Sequence, residues 1–168
     1  MKTNLSMLVI LSMAACSAFA GATPETKKIA AKEVELPKDF RQWQRVATSY
    51  RTDKNSLRVI IANDIAWKAM QAGSKNFPDG AKIGKIAWKE KHHEKWPAAI
   101  VPGEFQQIDF MQKDSKQFAA TGGWNFSRWL GTDLKRETKD IEGQECLACH
   151  TAVKDSDYVF TQPAMMPK

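Results

Sequence analysis

Cys146-Leu147-Ala148-Cys149-His150 is the stretch of this chain with the most definite chemistry. Two thiols three positions apart with an adjoining imidazole form the C-x-x-C-H pattern of covalent haem attachment. From one helical turn the thiols reach both vinyl groups of one porphyrin, and His150 then lies under the iron as its proximal axial ligand. Three other readings compete for the same residues. A disulfide between Cys146 and Cys149 is the plain structural one. A thioredoxin-like redox pair belongs near the start of a βαβ unit, whereas only a short tail follows His150. A zinc site would have to recruit His92 and His93, which adjoin each other upstream and fit no usual ligand spacing. Haem c, one per chain, is the preferred reading.

The other end of the chain points the same way. Residues 1–20 have the layout of a secretory signal: Lys2 at the positive end, an apolar run from Leu5 to Ala15, and Ala18-Phe19-Ala20 as a small-x-small cleavage site. The run is too short to span a bilayer. Met13-Ala14-Ala15-Cys16 is a rival, imperfect lipoprotein box, so anchoring through Cys16 is the alternative to cleavage after Ala20. With the preferred cleavage, Cys16 leaves with the signal and Cys146 and Cys149 are what remains of three cysteines. Covalent haem attachment takes place outside the cytoplasm and uses both thiols, so a periplasmic protein is expected.

A chain of 168 residues, less such a signal, has room for one domain with its own core. The formal charge of +6 is mild, and loss of Lys2 lowers it by one. Spread lysines of this kind form a solvated surface, or the complement of an acidic redox partner. No basic stretch with interleaved aromatics suggests nucleic acid. The expected organisation is a signal at 1–20, a flexible polar leader at 21–36 and a single haem domain at 37–168.

The elements that must position the haem motif are short. Pro37-Lys38-Asp39 opens a brief helix carrying Phe40 and Trp43 on one face. Val46, Thr48 and Tyr50 alternate like a half-buried strand, Thr52 to Asn55 turns the chain, and Leu57 to Ala62 is an apolar strand. Asn63-Asp64 caps a helix with Ile65, Ala66, Ala69 and Met70, which Gly73 stops. Phe77-Pro78-Asp79-Gly80 is a tight turn. Ala81 to Lys89 comes next as a strand, with Ile83, Lys85 and Ala87 on one side and Gly84, Ile86 and Trp88 on the other. Lys89 to Lys95 is expected to be a charged loop exposing His92 and His93, and Pro102-Gly103 a turn into Phe105 to Met111, with Ile108 and Phe110 facing the core. Lys113 to Ala120 is expected to be a short helix ended by Gly122-Gly123. In the strand Trp124 to Leu130, Trp124, Phe126 and Arg128 share a side; Thr132 to Gln144 is a polar connection. Strands broken by short helices exclude a four-helix bundle, whose sequence would carry long runs of period 3.6.

Leu36-Pro37-Lys38-Asp39-Phe40-Arg41-x-Trp43, Phe77-Pro78-Asp79-Gly80 with Lys85 after it, Lys113-Asp114-Ser115, Gly122-Gly123-Trp124, the haem motif and Asp157-x-Val159-Phe160-Thr161 together resemble the cytochrome P-460 family, which includes cytochrome c′-beta. The resemblance covers residues 36–163. It implies an α+β fold, mainly antiparallel β-sheet with a few short helices, usually a homodimer, holding a c-type haem with a proximal histidine and an open distal position. It also implies that Lys85 occupies the place of a lysine that the family's enzymes join covalently to the porphyrin edge. Those enzymes oxidise hydroxylamine, whereas the c′-beta members bind nitric oxide or carbon monoxide in an apolar, aromatic-capped pocket.

Three activities therefore compete. The first is an oxidoreductase acting on hydroxylamine or nitric oxide, with Lys85 perturbing the macrocycle and electrons leaving to a periplasmic carrier. It needs a distal carboxylate to move protons, for which Asp109, Glu104 and Glu94 are the candidates. The second is a gas-binding protein without turnover, walled by aromatics such as Phe77, Trp88, Phe105, Phe110, Trp124 and Phe126. The third, electron transfer, needs a sixth protein ligand, from Met70, Met111, Met165 or Met166.

Overall fold

The computed structural model describes residues 34–137, 145–164 and 167. The signal and Cys16, the leader as far as residue 33, residues 138–144 of the polar connection, and Met165 and Met166 lie outside the described residues.

Among the described residues, six strands form one antiparallel sheet in the order of the chain. They are β1 (Gln44–Arg51), β2 (Ser56–Ala62), β3 (Lys82–His93), β4 (Trp96–Lys113), β5 (Trp124–Leu130) and β6 (Lys135–Arg136). With sequence neighbours paired throughout, short turns suffice everywhere except between β2 and β3 and between β4 and β5. Helix α1 (Asp64–Gln71) fills the first of these. Its cap is Asn63, whose Oδ1 accepts from the amides of Ala66 and Lys82, both at 3.0 Å, while its Nδ2 donates to the Gly80 carbonyl at 2.9 Å. One side chain thus closes the helix start and ties it to the entry of β3. A single turn, α2 (Leu147–His150), carries the haem motif.

Period-2 alternation divides the sheet into two faces with separate cores. On one face Ile60, Ala62, Ile83, Met111, Trp124 and Phe126 pack against Ala66, Ala69 and Met70 of α1, and Cys146, Leu147 and Tyr158 lean on the same cluster. On the other, Phe110 is 1% exposed and meets the rings of Phe40, Trp43 and Trp129 edge-on at 5.4–5.7 Å between centroids. Gly84 belongs to this second face. A Cβ there would stand 2.8 Å from Ile61 Cγ1 and 2.9 Å from Phe110 Cε1, so the close packing of β2, β3 and β4 leaves room for hydrogen alone.

Three local expectations are corrected. His92 and His93 end β3 instead of lying in a loop; the turn between β3 and β4 is Glu94-Lys95. Pro102-Gly103 is no turn, because β4 runs through it, and Pro102 faces Glu90 where the register shifts. A bulge is the place where a strand tolerates a residue without an amide donor, so pairing with β3 overrides the turn propensity of the dipeptide. Finally, Lys113 is the last residue of β4, and residues 114–121 do not make a continuous helix. Asp114 Oδ1 accepts from the amides of Lys116 and Gln117, and a single 3-10 turn, Ala119–Thr121, leads to the left-handed Gly122. Asp114 satisfies the local amides itself, as short polar side chains do in turns.

Candidate haem site

Helix α2 lies over the first face of the sheet. Neither Cys146 nor Cys149 is in a disulfide, and no group of three or more His, Cys, Asp or Glu that could hold a metal ion occurs among the described residues. His92 and His93 sit instead at the far end of the β3–β4 hairpin, exposed. The disulfide and zinc readings therefore find no support in the placement of these side chains.

His150 is held from three sides. Its ring lies 5.1 Å from that of Phe126 and 5.2 Å from that of Phe160, centroid to centroid. Nδ1 is 2.6 Å from the carbonyl oxygen of Tyr158. A carbonyl only accepts, so Nδ1 carries the proton and donates it. Burial pushes the imidazole below its ordinary value, with Lys85 adding to the effect and the Tyr158 hydrogen bond opposing it. The neutral ring so fixed keeps its lone pair on Nε2, which leaves that nitrogen able to ligate a metal.

The loop that supplies this carbonyl is held by a charged pair. Lys113 Nζ and Asp157 Oδ1 are 2.6 Å apart, with side chains 9% and 10% exposed. Asp157 also accepts from the Phe77 amide at 2.8 Å and from Trp124 Nε1 at 3.2 Å, and Lys113 Nζ donates to the Gly122 carbonyl at 3.1 Å. Asp157 and Tyr158 are both left-handed, at φ 50° and 63°.

Across the sheet, register brings Ile60, Lys85, Asp109 and Arg128 into one row on successive strands. Phe126 is two residues from Arg128 on β5, so the row shares the face that carries His150. Lys85 Nζ lies 3.0 Å from Asp109 Oδ2, Arg128 Nε contacts Oδ1, and Gln107 Nε2 donates to Oδ2 at 2.8 Å. Burial by itself would raise the Asp109 carboxyl; the charges of Lys85 and Arg128 and the hydrogen bonds outweigh it and hold the group below its ordinary value. One residue-pair further along the same face, Arg58 stands opposite Ala87. Its Nε is buried and finds no protein partner.

Of the three carboxylates, Asp109 alone joins this row. Glu104 pairs with Lys89 and Glu94 with Lys91, both on exposed parts of the hairpin. The six aromatics do not assemble into one wall. Phe110 and Phe105 belong to the opposite face, and Trp88 stacks edge-on with Phe105, while Phe77 and Trp124 pack together in the core. Met70 and Met111 are core residues too. Sequence reasoning left Arg58, Tyr158 and the Lys113–Asp157 pair without a role, and Arg128 with only a side. The pairing register holds the signal for Arg128, since it sets Lys85, Asp109 and Arg128 abreast; the carbonyl of Tyr158 leaves none.

The donor set fits a haem. Two thiols with no disulfide between them adjoin an imidazole with an available Nε2, and a buried guanidinium nitrogen is left for a ligand that brings its own carboxylates. Residues 37–161 match the family model described as Cytochrome P460. No curated protein matches the chain.

Proposed function

The chain belongs to the cytochrome P460 family and is a haem protein, and from that premise we propose that it is a periplasmic mono-haem c-type oxidoreductase with an open distal iron site, acting on hydroxylamine or nitric oxide. Cys146 and Cys149 would carry the two thioether links and His150 Nε2 the iron. Lys85 would occupy the porphyrin edge and, as the resemblance implies, become joined to it. The bound haem supplies an iron that exchanges electrons and has a coordination position for a small nitrogen compound.

The observation that carries the reading is the Lys85–Asp109–Arg128 row. A pocket built only to hold an uncharged gas gains nothing from a largely buried ion pair, which costs desolvation. Turnover of hydroxylamine does gain, because each oxidation releases protons that a positioned carboxylate accepts. Gln107 and Arg128 fix its two oxygens, and joining Lys85 to the porphyrin would take away one of the two charges that hold the carboxyl below its ordinary value, making it the better proton acceptor. The gas-binding alternative calls for a distal aromatic wall, and three of its six candidate rings belong to the opposite face. Export rests on residues 1–20, and the homodimer and the periplasmic electron carrier rest on the family resemblance.

The test is protein matured in a host competent for cytochrome c assembly. A strongly red-shifted ferrous Soret band, a tryptic haem peptide that retains the Lys85 peptide, and hydroxylamine oxidation lost in Asp109→Asn support the enzyme. An ordinary five-coordinate c-type spectrum with no turnover supports the gas binder. Colourless protein at the mass of the bare chain removes both.

A further inference from the structure

We propose that Asp157, clamped by Lys113, is a positioning residue for His150 and thereby sets the electron-donating strength of the proximal ligand. The inference rests on the reading of His150 as the iron ligand. Its ground is a continuous path of contacts: Lys113 Nζ to Asp157 Oδ1 at 2.6 Å, Asp157 along the backbone to Tyr158, and the Tyr158 carbonyl to His150 Nδ1 at 2.6 Å.

Two consecutive non-glycine residues in the left-handed region do not persist unaided, because Cβ crowds the backbone there. The Asp157 carboxylate supplies the restraint. Its Oδ2 accepts from the Phe77 amide, and its Oδ1 accepts from both Lys113 and Trp124. Lys113 is fixed in turn by the Gly122 carbonyl and stands 5.0 Å over the Trp124 ring. The Tyr158 ring packs against Gly122, where even a Cβ would stand 2.6 Å from its Cζ. Backbone and ring of Tyr158 are thereby held from opposite ends, and its carbonyl cannot turn from the imidazole without breaking the clamp. A short, well-aimed acceptor on Nδ1–H makes the imidazole more basic at Nε2, which favours ferric over ferrous iron.

The experiment uses the haem-loaded protein, with the midpoint potential and the ferrous iron–imidazole stretching band as readouts. In Asp157→Ala and in Lys113→Met the carbonyl loosens. We expect the one-electron equilibrium to move about tenfold toward ferrous, a rise of about 59 mV, with the stretching band falling in frequency. Lys113→Met separates positioning from bare charge. Removing the Lys113 cation should lower the potential if only field strength matters, and raise it if the clamp matters. It also decides the matter if Asp157→Ala does not fold. Asp39→Asn, which weakens a hydrogen bond to Trp43 on the other face, should move neither readout. An unchanged or lower potential in Lys113→Met, with the band unmoved, overturns the proposal. A wild-type protein with no iron–imidazole band overturns instead the assignment of His150.

Discussion

Replacing Gly122 by alanine should cost about 2–4 kcal/mol, far more than one methyl group usually does. Two terms add. Gly122 is left-handed at φ 71°, where a Cβ costs about 1 kcal/mol against the following carbonyl. The new methyl would also overlap the Tyr158 ring, 2.6 Å from Cζ and 2.9 Å from Oη, and overpacking of this kind costs about 1–3 kcal/mol. The two parts separate in a double-mutant cycle. Tyr158→Ala removes the ring that the methyl meets and leaves the backbone term in place. Urea unfolding of wild type, both single variants and the double variant, followed by far-ultraviolet circular dichroism, should give a coupling of about 1–3 kcal/mol with an unchanged urea dependence. A Gly122→Ala cost below about 0.5 kcal/mol, or additive single variants, would refute the argument that Tyr158 is wedged against this glycine.

The same packing sets other expectations. Phe110→Ala should cost about 3–5 kcal/mol, since three aromatic rings close on it, and a fall in melting temperature is the check. Asn63→Ala should cost about 1–2 kcal/mol for the lost cap, and the Lys82 and Gly80 bonds place it at the upper end; loss of hydrogen-exchange protection in both α1 and the start of β3 distinguishes this from a simple helix effect. The Asp109 carboxyl sits below its ordinary 3.8 in the folded chain, so the unfolded chain takes up its proton first as the pH falls. Its contribution is complete above that value and disappears as the pH drops through the lower folded one. Asp109→Asn should therefore flatten the acid limb of stability below about pH 4, measured as melting temperature against pH; an unchanged limb would contradict the pairing.

Alternation carried most of the fold. Ile83, Lys85 and Ala87 against Gly84 and Ile86, and Trp124, Phe126 and Arg128 on one side of β5, take the faces that period 2 assigns them. Asn63 caps α1 because its local chemistry and its tertiary bonds agree. Local signals failed where pairing outweighed them: Pro102-Gly103 has every mark of a turn, yet sits in a strand because β3 opposite supplies bonds to its neighbours. The site was legible in part. The haem motif and Lys85 stand out by type and spacing, whereas choosing Asp109 over Glu104 and Glu94 required the register between β3, β4 and β5. Asp157 was visible only as one letter of a motif, since its partners are distant in sequence: Lys113 44 positions away and Phe77 80.

The β3–β4 ribbon outruns its neighbours, β2 stopping opposite Lys89 and β5 opposite Gln107. Trp96 stands at its tip, 67% exposed, whereas Trp43, Trp124 and Trp129 are buried. Iodide in solution should therefore quench this one indole's fluorescence first. Any molecule that settled on the ribbon would shield it, so the chain carries its own optical gauge of what touches that end.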